Sequence, residues 1–506
     1  MVDKILFWFG VDYTHYCLSH ALQKKIDCEM YAIVDITERP KTFFENQKLV
    51  DFNKIWFFHD QIKKQQEKPD FEYLAKFEKK YKLNLWKLIQ NERIFLYSNF
   101  HKFSKNEMMK ILEQECRFFE HILDTVKPDF FFSKMPAFHH LELFYEMCKN
   151  SGVNVQIIDF AVLGQSCMIT QEHEKLDIVN DPKGLEHKNR NFDQLLQYLK
   201  SSDLLGYLVN NIMKPGKTNQ ELIQAAKEYL LHSDSENTKT HYTYYGRTKS
   251  KVLLHGMMYR IRTKIRESFM NNNLKRTLAL PEKFVFFPLH TEIDRTLLIT
   301  APFYINQTEA IKIIAKSLPI NFKLVVKEHP IQVTRGWRSS SEYKEIMEIP
   351  NVILVHPNFS NEELYKNCSL LVTIAGTSGF EATFYGKPAI TFVDLNYSIL
   401  PSVSTVKNLH ELPDLINESL TKKVEASSLD HFITLLEKNI SKFNYADFLQ
   451  KLKREFFYGG NLVDVEIPET KMKSFLEKNG VLLDTLADAH IKKINWFKEK
   501  KSFDHP

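Results

Sequence analysis

Short apolar runs alternate with helical segments through roughly the first 165 residues of the chain. The runs are rich in aromatic and β-branched residues, as buried strands are, and the segments between them are long enough to cross over a sheet. This pattern predicts strands at KILFWFG, EMYAIVD, KIWFFHD, RIFLYS, DFFFSK and VNVQIID. It also predicts a helix that begins after an N-cap at Ser104 and stops at Pro128, because apolar residues recur between them at helical spacing.

Polar helical segments replace this alternation from about residue 170 to 280, which predicts a helical linker or insertion. Within it, residues 247–276 hold nine basic residues against one acid, Glu267. The basic residues are Arg247, Lys249, Lys251, Arg260, Arg262, Lys264, Arg266, Lys275 and Arg276. The apolar residues among them are Val252, Leu253, Leu254, Met257, Met258, Tyr259, Ile261 and Ile265. Such a helix either rests on an anionic membrane surface or is a solvated helix whose apolar side packs on its own domain.

A second and more regular alternation begins at about residue 282. It predicts strands at FVFFPLH, FKLVVKEHP, NVILVHP, SLLVTIAG and PAITFVD, and helices at QTEAIKIIAKSL, NEELYKN, SGFEATFYG and LHELPDLI. Five strand and helix steps in about 135 residues are typical of a doubly wound parallel sheet. The residues after about 425 have a helical pattern.

The chain, at 506 residues, is too long for one compact core, since single cores stop growing at roughly 250 to 300 residues. The pattern therefore predicts an α/β protein with two Rossmann-like domains facing across a cleft, a helical linker and a helical C-terminal tail. We place the first domain at 1–170, the linker at 171–280, the second domain at 281–425 and the tail at 426–506.

Composition narrows the functional classes. The net charge of +5 is too mild to indicate nucleic-acid binding by itself, since proteins that bind duplexes usually concentrate a much denser basic face, and we expect no nucleic acid among the partners. Six scattered cysteines without a CxxC pair indicate free thiols in a reducing compartment. The first residues lack the features of a secretory signal, and no segment approaches the ~20 apolar residues that span a bilayer. We therefore expect a cytoplasmic protein, peripheral on the inner face of the membrane if the basic helix binds lipid.

The most informative polar residues follow strands of the second alternation, because a parallel sheet binds ligands beyond the carboxyl ends of its strands. The first group is His290, Thr291, Glu292, Asp294 and Arg295. The second group is Lys327, Glu328, His329 and Pro330. The third group is Gly376, Thr377, Ser378 and Gly379, at the start of a predicted helix.

The third group has a physical rationale as an anion site, because the first N–H groups of a helix lack backbone partners and the helix dipole is positive there. The alternative is an ordinary helix entrance with a Ser or Thr cap. Glu381 on the first turn either accepts hydrogen bonds from a ribose diol or interacts with the helix N-terminus. His329 is a candidate donor to a phosphate oxygen, with Pro330 fixing the turn behind it.

VKEHP, IPNVILVHP, LLVTIAGTSGFEATFYGKPAITF and YSILPSV resemble the capsule polysaccharide biosynthesis family, which includes the bacterial Kdo transferases of capsule assembly. PLHTEID and the later YINQ are similar to a PLH…PE…DQ block of that family, although Ile293-Asp294 stands for the usual Pro-Glu and Asn306 for the usual Asp. The resemblance covers about 280–420. It implies a GT-B fold, transfer from a CMP-activated sugar, and contact of His329-Pro330 with the nucleotide phosphate.

We therefore expect a glycosyltransferase that moves a sugar from a nucleotide donor to a glycan or lipid-linked acceptor. Lys327, His329, Thr377 and Ser378 would stabilise the leaving phosphate, with His290, Pro330, Gly376, Gly379 and Glu381 lining the donor site. Glu292, Asp294 and His329 are the catalytic candidates. Asp12, His15 and Asp159 follow strands of the first domain and are candidates on the acceptor side.

Neither a metal ion nor a cofactor other than the donor is predicted, because no DxD-type pair follows a strand. Two alternatives stay open. The first is a sugar-nucleotide epimerase on the same scaffold, which would invert a sugar without any acceptor. The second is a non-catalytic nucleotide-sugar-binding subunit of polysaccharide assembly or export, which would bind the donor without turnover.

Overall fold

A computed structural model describes residues 2–161, 166–173, 175–177, 188–201, 223–224, 227, 229–231, 241–457 and 463–504. Six strands of the first half and one short strand near the C-terminus build a seven-stranded sheet in the order β3-β2-β1-β4-β5-β6-β13. Its strands are β1 (Asp3–Phe9), β2 (Cys28–Val34), β3 (Lys54–Phe57), β4 (Phe130–Lys134), β5 (Asn154–Phe160), β6 (Cys167–Thr170) and β13 (Ile440–Ser441). Strands β1 to β5 are parallel, and β6 is antiparallel to both of its neighbours.

The second sheet has six strands, all parallel, in the order β9-β8-β7-β10-β11-β12. Its strands are β7 (Phe284–Pro288), β8 (Lys323–Lys327), β9 (Val352–Val355), β10 (Leu370–Thr373), β11 (Ala389–Thr391) and β12 (Val403–Thr405). Strand order reverses between β7 and β10, which makes the carboxyl ends of these two strands the topological switch point where ligands bind in such sheets.

Helices cover both faces of each sheet. Those of the first half are α1 (Thr14–Leu22), α2 (Glu38–Asn46), α3 (Phe58–Gln61), α4 (Phe71–Tyr81), α5 (Leu85–Gln90), α6 (Arg93–Leu96), α7 (Lys105–Val126) and α8 (His139–Asn150). Two follow in the middle, α9 (Phe192–Ser201) and α10 (Lys249–Asn273). The others are α11 (Gln307–Ser317), α12 (Ser340–Met347), α13 (Asn361–Asn367), α14 (Ser378–Thr383), α15 (Leu412–Ser419), α16 (Ala426–Asn439), α17 (Tyr445–Phe456), α18 (Glu469–Lys478) and α19 (Gly480–Asp504). None of the helices described here is both long and apolar enough to cross a bilayer.

Strand β1 shows why the first sheet is buried on both faces. Ile5, Phe7 and Phe9 point to one core, and Leu6 and Trp8 point to the other, because successive side chains of a strand alternate. All five are essentially inaccessible to solvent. A strand without a polar face is the pattern that parallel sheets covered by helices require.

The long helix predicted after Ser104 is confirmed and carries a complete capping box. The Glu107 N–H donates to Ser104 Oγ at 3.3 Å, and the Ser104 N–H donates back to Glu107 Oε2 at 2.8 Å. The helix ends at Val126, before Lys127 enters the left-handed region with φ 49° and Pro128 follows.

One predicted strand was wrong, and three short strands were not predicted. RIFLYS forms the short helix Arg93–Leu96, because the carboxylate of Glu92 accepts the Ile94 N–H at 2.9 Å and starts a helical turn that the apolar pattern does not show. The structure also adds the short strands β6, β12 and β13, which the sequence analysis did not predict.

The C-terminal segment is helical, as predicted, and it connects the two halves. Helix α16 packs on the core of the second sheet through Leu429, Phe432 and Ile433. Strand β13 then pairs with β6, and α17 to α19 complete the core of the first sheet. The predicted linker at 171–280 lies partly outside the described residues, and its described part includes α9 and α10.

The carboxyl edges of the two sheets face each other, which confirms the predicted pair of Rossmann-like domains across a cleft. Arg295, in the loop after β7, donates from Nε to the carbonyl of Pro136, in the loop after β4, at 2.6 Å. Asn91 of the first half donates from Nδ2 to the carbonyl of Pro302 of the second at 3.2 Å.

Candidate functional site

His290 follows β7 and bonds directly to the loop that follows β10. Its Nε2 accepts the Ala375 N–H at 3.2 Å, so the ring proton is on Nδ1. The side chain is buried, and Nδ1 has no hydrogen-bond partner in the described part of the chain. Burial lowers the pKa of His290 to about 3, with the charges of His329 and Arg338 acting in the same direction. A neutral ring thus keeps one buried N–H donor without an acceptor, which is unusual away from ligand sites.

His329 presents a donor at the exit of β8. Its Nδ1 accepts the Ile331 N–H at 3.2 Å and caps the 3-10 helix Pro330–Arg335, so the ring proton is on Nε2. Burial lowers the pKa of His329 to about 4, so the ring is neutral near pH 7. His329 therefore offers an oriented hydrogen bond rather than a charge.

Lys327, the last residue of β8, supplies the charge. It is buried, and burial lowers its pKa to about 8, although Glu381 opposes the shift. Its Nζ donates to Asn361 Oδ1 at the start of α13. An ammonium with this pKa gains strongly from a nearby anion, because the anion offsets the cost of burying the charge.

Glu328 holds the strand exits in place. Its Oε2 accepts from Arg338 Nε at 2.7 Å and from Tyr343 OH at 2.7 Å, and all three side chains are buried. Arg338 also donates to the backbone carbonyl of His290. The same guanidinium therefore connects the exits of β7 and β8, and Glu328 has a positioning role in this network.

Close packing explains both glycines of the turn after β10. A Cβ on Gly376 would lie 2.8 Å from Thr373 Oγ1 and 3.3 Å from His290 Nε2. A Cβ on Gly379 would lie 2.6 Å from the hydroxyl of Tyr397, which donates to the Gly376 carbonyl. Any larger residue would displace the groups that fix this turn.

The helix after the turn is short, with six residues from Ser378 to Thr383. Thr377 has αR backbone angles and makes no side-chain cap, so the expected alternative of an ordinary Ser or Thr cap does not describe it. Its hydroxyl instead donates to Glu381 Oε1 at 3.1 Å, and Tyr365 OH donates to Oε2 at 2.8 Å. The carboxylate of Glu381 is thus held by protein groups at both oxygens.

Glu292 and Asp294 lie in the loop after β7, against the segment that follows His329. Glu292 Oε2 accepts from Gln332 Nε2 at 3.1 Å, and burial raises the pKa of Glu292. Asp294 Oδ1 lies 3.5 Å from Arg335 NH2, and its negative charge acts on His329. Both carboxylates therefore contact the segment that follows His329, Glu292 through Gln332 and Asp294 through Arg335.

The three candidates of the first half lie at the facing edge of the first sheet. Asp12 Oδ2 accepts from Lys134 Nζ at 3.0 Å, and although burial opposes it, this ammonium lowers the pKa of Asp12 to about 2. Asp159 Oδ2 lies 2.9 Å from His173 Nδ1. Burial lowers the pKa of His15 to about 4, and its Nε2 has no partner among the described residues.

A buried polar network at the same edge of the first sheet was not predicted from the sequence. It runs from Glu92 through His139, Glu115, Tyr242, His140 and Asp35 to His59, with neighbouring polar atoms 2.9 to 3.2 Å apart. The sequence did hold a clue to this network, because polar residues follow three strands of the first sheet. Asp35 follows β2, His59 follows β3, and the pair His139-His140 follows β4. What the sequence could not show is that these exits converge with Tyr242, about a hundred residues further along the chain.

Glu115, His139 and His140 also place three ligand atoms within 4.8 Å of one another, a spacing that suits a metal ion. Burial alone would lower the pKa of His139, but the carboxylates of Glu115 and Glu92 outweigh it and raise the pKa to about 10. Both ring nitrogens therefore carry protons near pH 7 and face carboxylates, which is the arrangement of a buried ion triad.

A cavity of about 290 Å³ lies beside this network, between the two halves. Glu92, His139 and Glu142 line it from the first half, and Leu298 and Ile299 line it from the second. Burial raises the pKa of Glu142 to about 6, and its Oε2 has no partner in the described chain. A carboxyl group with this pKa is suited to proton transfer near neutral pH.

The fold and these strand exits define a two-domain α/β protein with hydrogen-bond donors at the neighbouring exits of β7 and β8 in its second sheet. The family model described as capsule polysaccharide biosynthesis protein matches residues 178–431, half of the chain. The chain belongs to this family. The match extends well beyond the part of the sequence, 280–420, that carries the resemblance by motif.

Similarity to individual proteins is distant, and no curated protein sequence matches the chain. The UDP-GlcNAc 2-epimerase of Methanocaldococcus jannaschii, solved with UDP-GlcNAc and UDP, is 14% identical, with 87% of this chain and 100% of that chain covered and a TM-score of 0.25. KpsC of Thermosulfurimonas dismutans, a beta Kdo 2,7 transferase, is 13% identical, with 70% and 87% covered and a TM-score of 0.29. Similarity at this level does not show which ligand or reaction the site of this chain serves.

Proposed function

We propose that this protein is a glycosyltransferase of bacterial capsular polysaccharide biosynthesis, which moves a sugar from a nucleotide donor to a glycan or lipid-linked acceptor. The observation that carries the proposal is the set of donors at the switch point of the second sheet and at the exit of the neighbouring strand β8. Lys327, the Nε2–H of His329 and the Nδ1–H of His290 occupy neighbouring strand exits. Such an arrangement stabilises the phosphate that leaves during glycosyl transfer.

Each donor has a separate part in the proposal. The ammonium of Lys327 neutralises charge on the departing phosphate, and the neutral rings of His329 and His290 donate hydrogen bonds of fixed direction. The turn at Gly376 and Gly379 brings backbone close to the same phosphate, with Thr377 and Ser378 at its rim. This assignment uses protein groups alone to stabilise the phosphate.

Transfer also needs a group that takes the proton of the acceptor hydroxyl or stabilises the anomeric carbon. Asp294 and Glu292 are the candidates in the second half, because both contact the segment that follows His329. Glu142, in the cavity between the halves, is the candidate on the acceptor side. A CMP-activated sugar, with Kdo as the first candidate, is the donor that the family resemblance favours.

The direct test is to incubate the purified chain with CMP-Kdo and with UDP-sugars in parallel, with and without a capsular glycan or lipid-linked saccharide. Acceptor-dependent release of the nucleotide, with a lengthened glycan in the mass spectrum, supports the proposal. Inversion of the sugar without an acceptor would identify an epimerase instead. Donor binding with neither product would identify a binding subunit, and either result would overturn the proposal.

A further inference from the structure

The outward surface of helix α10 is unusually apolar. Seven of its large apolar side chains are exposed, and five of these share one face of the helix: Leu254 by 58%, Met257 by 60%, Met258 by 40%, Ile261 by 49% and Ile265 by 62%. They recur at positions i, i+3, i+4, i+7 and i+11, which places them in one stripe along the helix. We call these five residues the apolar stripe.

Basic residues border the apolar stripe on both sides. At 3.6 residues per turn, Arg260 and Lys264 fall along one side of it and Lys251 and Arg262 along the other. All four are exposed. The one acid of the segment, Glu267, falls outside the stripe. An apolar centre between two cationic margins is the cross-section of a helix that lies in a bilayer interface.

The opposite side of α10 packs on the protein itself. Met270 is buried, Tyr259 OH donates to the Thr334 carbonyl at 3.2 Å, and Arg266 NH1 donates to the Trp337 carbonyl at 2.7 Å. The helix is therefore fixed to the second domain by its inner side. A solvated helix whose apolar side packs on its own domain would account for these inner contacts. It would not account for the apolar stripe, which faces solvent.

We propose that helix α10 binds an anionic membrane surface, with the apolar stripe among the acyl chains and the four flanking basic residues at the lipid phosphates. The charge pattern favours lipid over the other occupants. A nucleic acid would meet an apolar surface where its phosphates need cations, and a second copy of the helix would face the same cations without acids to pair with.

The place of α10 in the fold gives this contact a consequence. The carbonyls of Thr334 and Trp337, which α10 binds, belong to the segment that begins at His329. A membrane on the outer side of the helix would therefore lie about one helix diameter, ~10 Å, from that segment. Delivery of a lipid-linked acceptor at this distance rests on the proposed function, whereas the membrane contact itself does not.

The test is flotation of the full chain with phosphatidylcholine vesicles and with vesicles that contain phosphatidylglycerol. The parent should float with the anionic vesicles alone, and about 0.5 M salt should weaken binding, because salt screens the lipid charge. R260E/R262E/K264E and M257N/I261N/I265N should each lower vesicle binding about tenfold or more. K48E/K79E/K473E, which makes the same charge change at exposed lysines elsewhere, should float like the parent.

Equal flotation of the parent and both α10 variants, or no flotation of the parent, would overturn the proposal. Thermal unfolding is the control for the fold, and each variant should unfold at the same temperature as the parent because the substituted side chains are exposed. Light scattering without vesicles tests whether a second copy of the chain binds the apolar stripe instead. A parent dimer that M257N/I261N/I265N dissociates would assign the stripe to that second copy and overturn the proposal. Because glycosyl transfer is not measured, failure here leaves the proposed function standing.

Discussion

The imidazole of His290 accepts the backbone N–H of Ala375 at 3.2 Å and thereby joins the exit of β7 to the turn after β10. The two strands are neighbours at the point where strand order reverses. The bond fixes the tautomer of the ring and directs its remaining N–H away from Ala375. A buried histidine with this geometry links the glycine turn to the exits of β7 and β8.

The two nitrogens of His329 have separable roles, which three substitutions distinguish. His329→Gln keeps an N–H donor near the position of Nε2, and His329→Asn keeps an acceptor for the Ile331 N–H. Loss of a hydrogen-bond donor to the transition state lowers turnover by about 10²- to 10³-fold. We therefore expect this loss of turnover in His329→Asn and His329→Ala, and a smaller loss in His329→Gln. Steady-state kinetics measure this. Equal activity of all three variants with the parent would remove His329 from the mechanism.

Gly376→Ala should damage the donor site through crowding. The new Cβ would lie 2.8 Å from the buried Thr373 Oγ1, so the turn or the His290 ring must shift. We expect a loss of about 1 to 3 kcal/mol in stability and weaker nucleotide binding. Gly480→Ala is the matched control, because nothing lies within 4 Å of its Cβ. If calorimetry finds nucleotide affinity unchanged in G376A, the turn is not part of the donor site.

Nucleotide affinity should fall as the pH rises through about 8, because Lys327 loses its proton there. Lys327→Arg should keep its charge and flatten this dependence, and Lys327→Met should bind weakly at every pH. Titrations from pH 7 to 9.5 test this directly. An affinity of the parent that is constant over that range would show that the ammonium of Lys327 does not face the phosphate.

The ion triad around His139 predicts an alkaline loss of stability. A pKa raised from 6.5 to about 10 means that the charged ring stabilises the fold fully below pH 6.5 and progressively less as the pH rises through about 10. His139→Gln removes the cation between Glu92 and Glu115 and should cost about 3 to 5 kcal/mol near neutral pH. Denaturant unfolding at several pH values should show a shallower alkaline slope for the variant, and parallel curves would contradict the assignment.

Glu142→Gln should lower turnover about 10²-fold without weakening donor binding, because a general base acts on the acceptor alone. The parent's rate should rise as the pH passes through about 6, where Glu142 ionises. Glu146→Gln is the control, since Glu146 lines the same cavity. Equal rates for the two variants would exclude Glu142 as the base.

Periodicity predicted the sheets well, because strands covered on both faces are continuous apolar runs and their helices have clear caps. It failed at Arg93–Leu96, where one carboxylate at Glu92 starts a helix within an apolar run. The strand exits that carry His290, Lys327 and His329 were visible for the same reason, since polar residues end apolar runs. The pairing of Asp35 with His59 and His140 was not, because contacts between distant strand exits depend on the packed fold.

The most direct test of the proposed donor site is a crystal structure of the chain with a bound CMP-sugar or UDP-sugar. We expect a phosphate oxygen within hydrogen-bond distance of His329 Nε2, with the ammonium of Lys327 and the turn at Gly376 to Ser378 around the same phosphate. A nucleotide phosphate bound elsewhere, for example in the cavity beside Glu92 and His139, would contradict it.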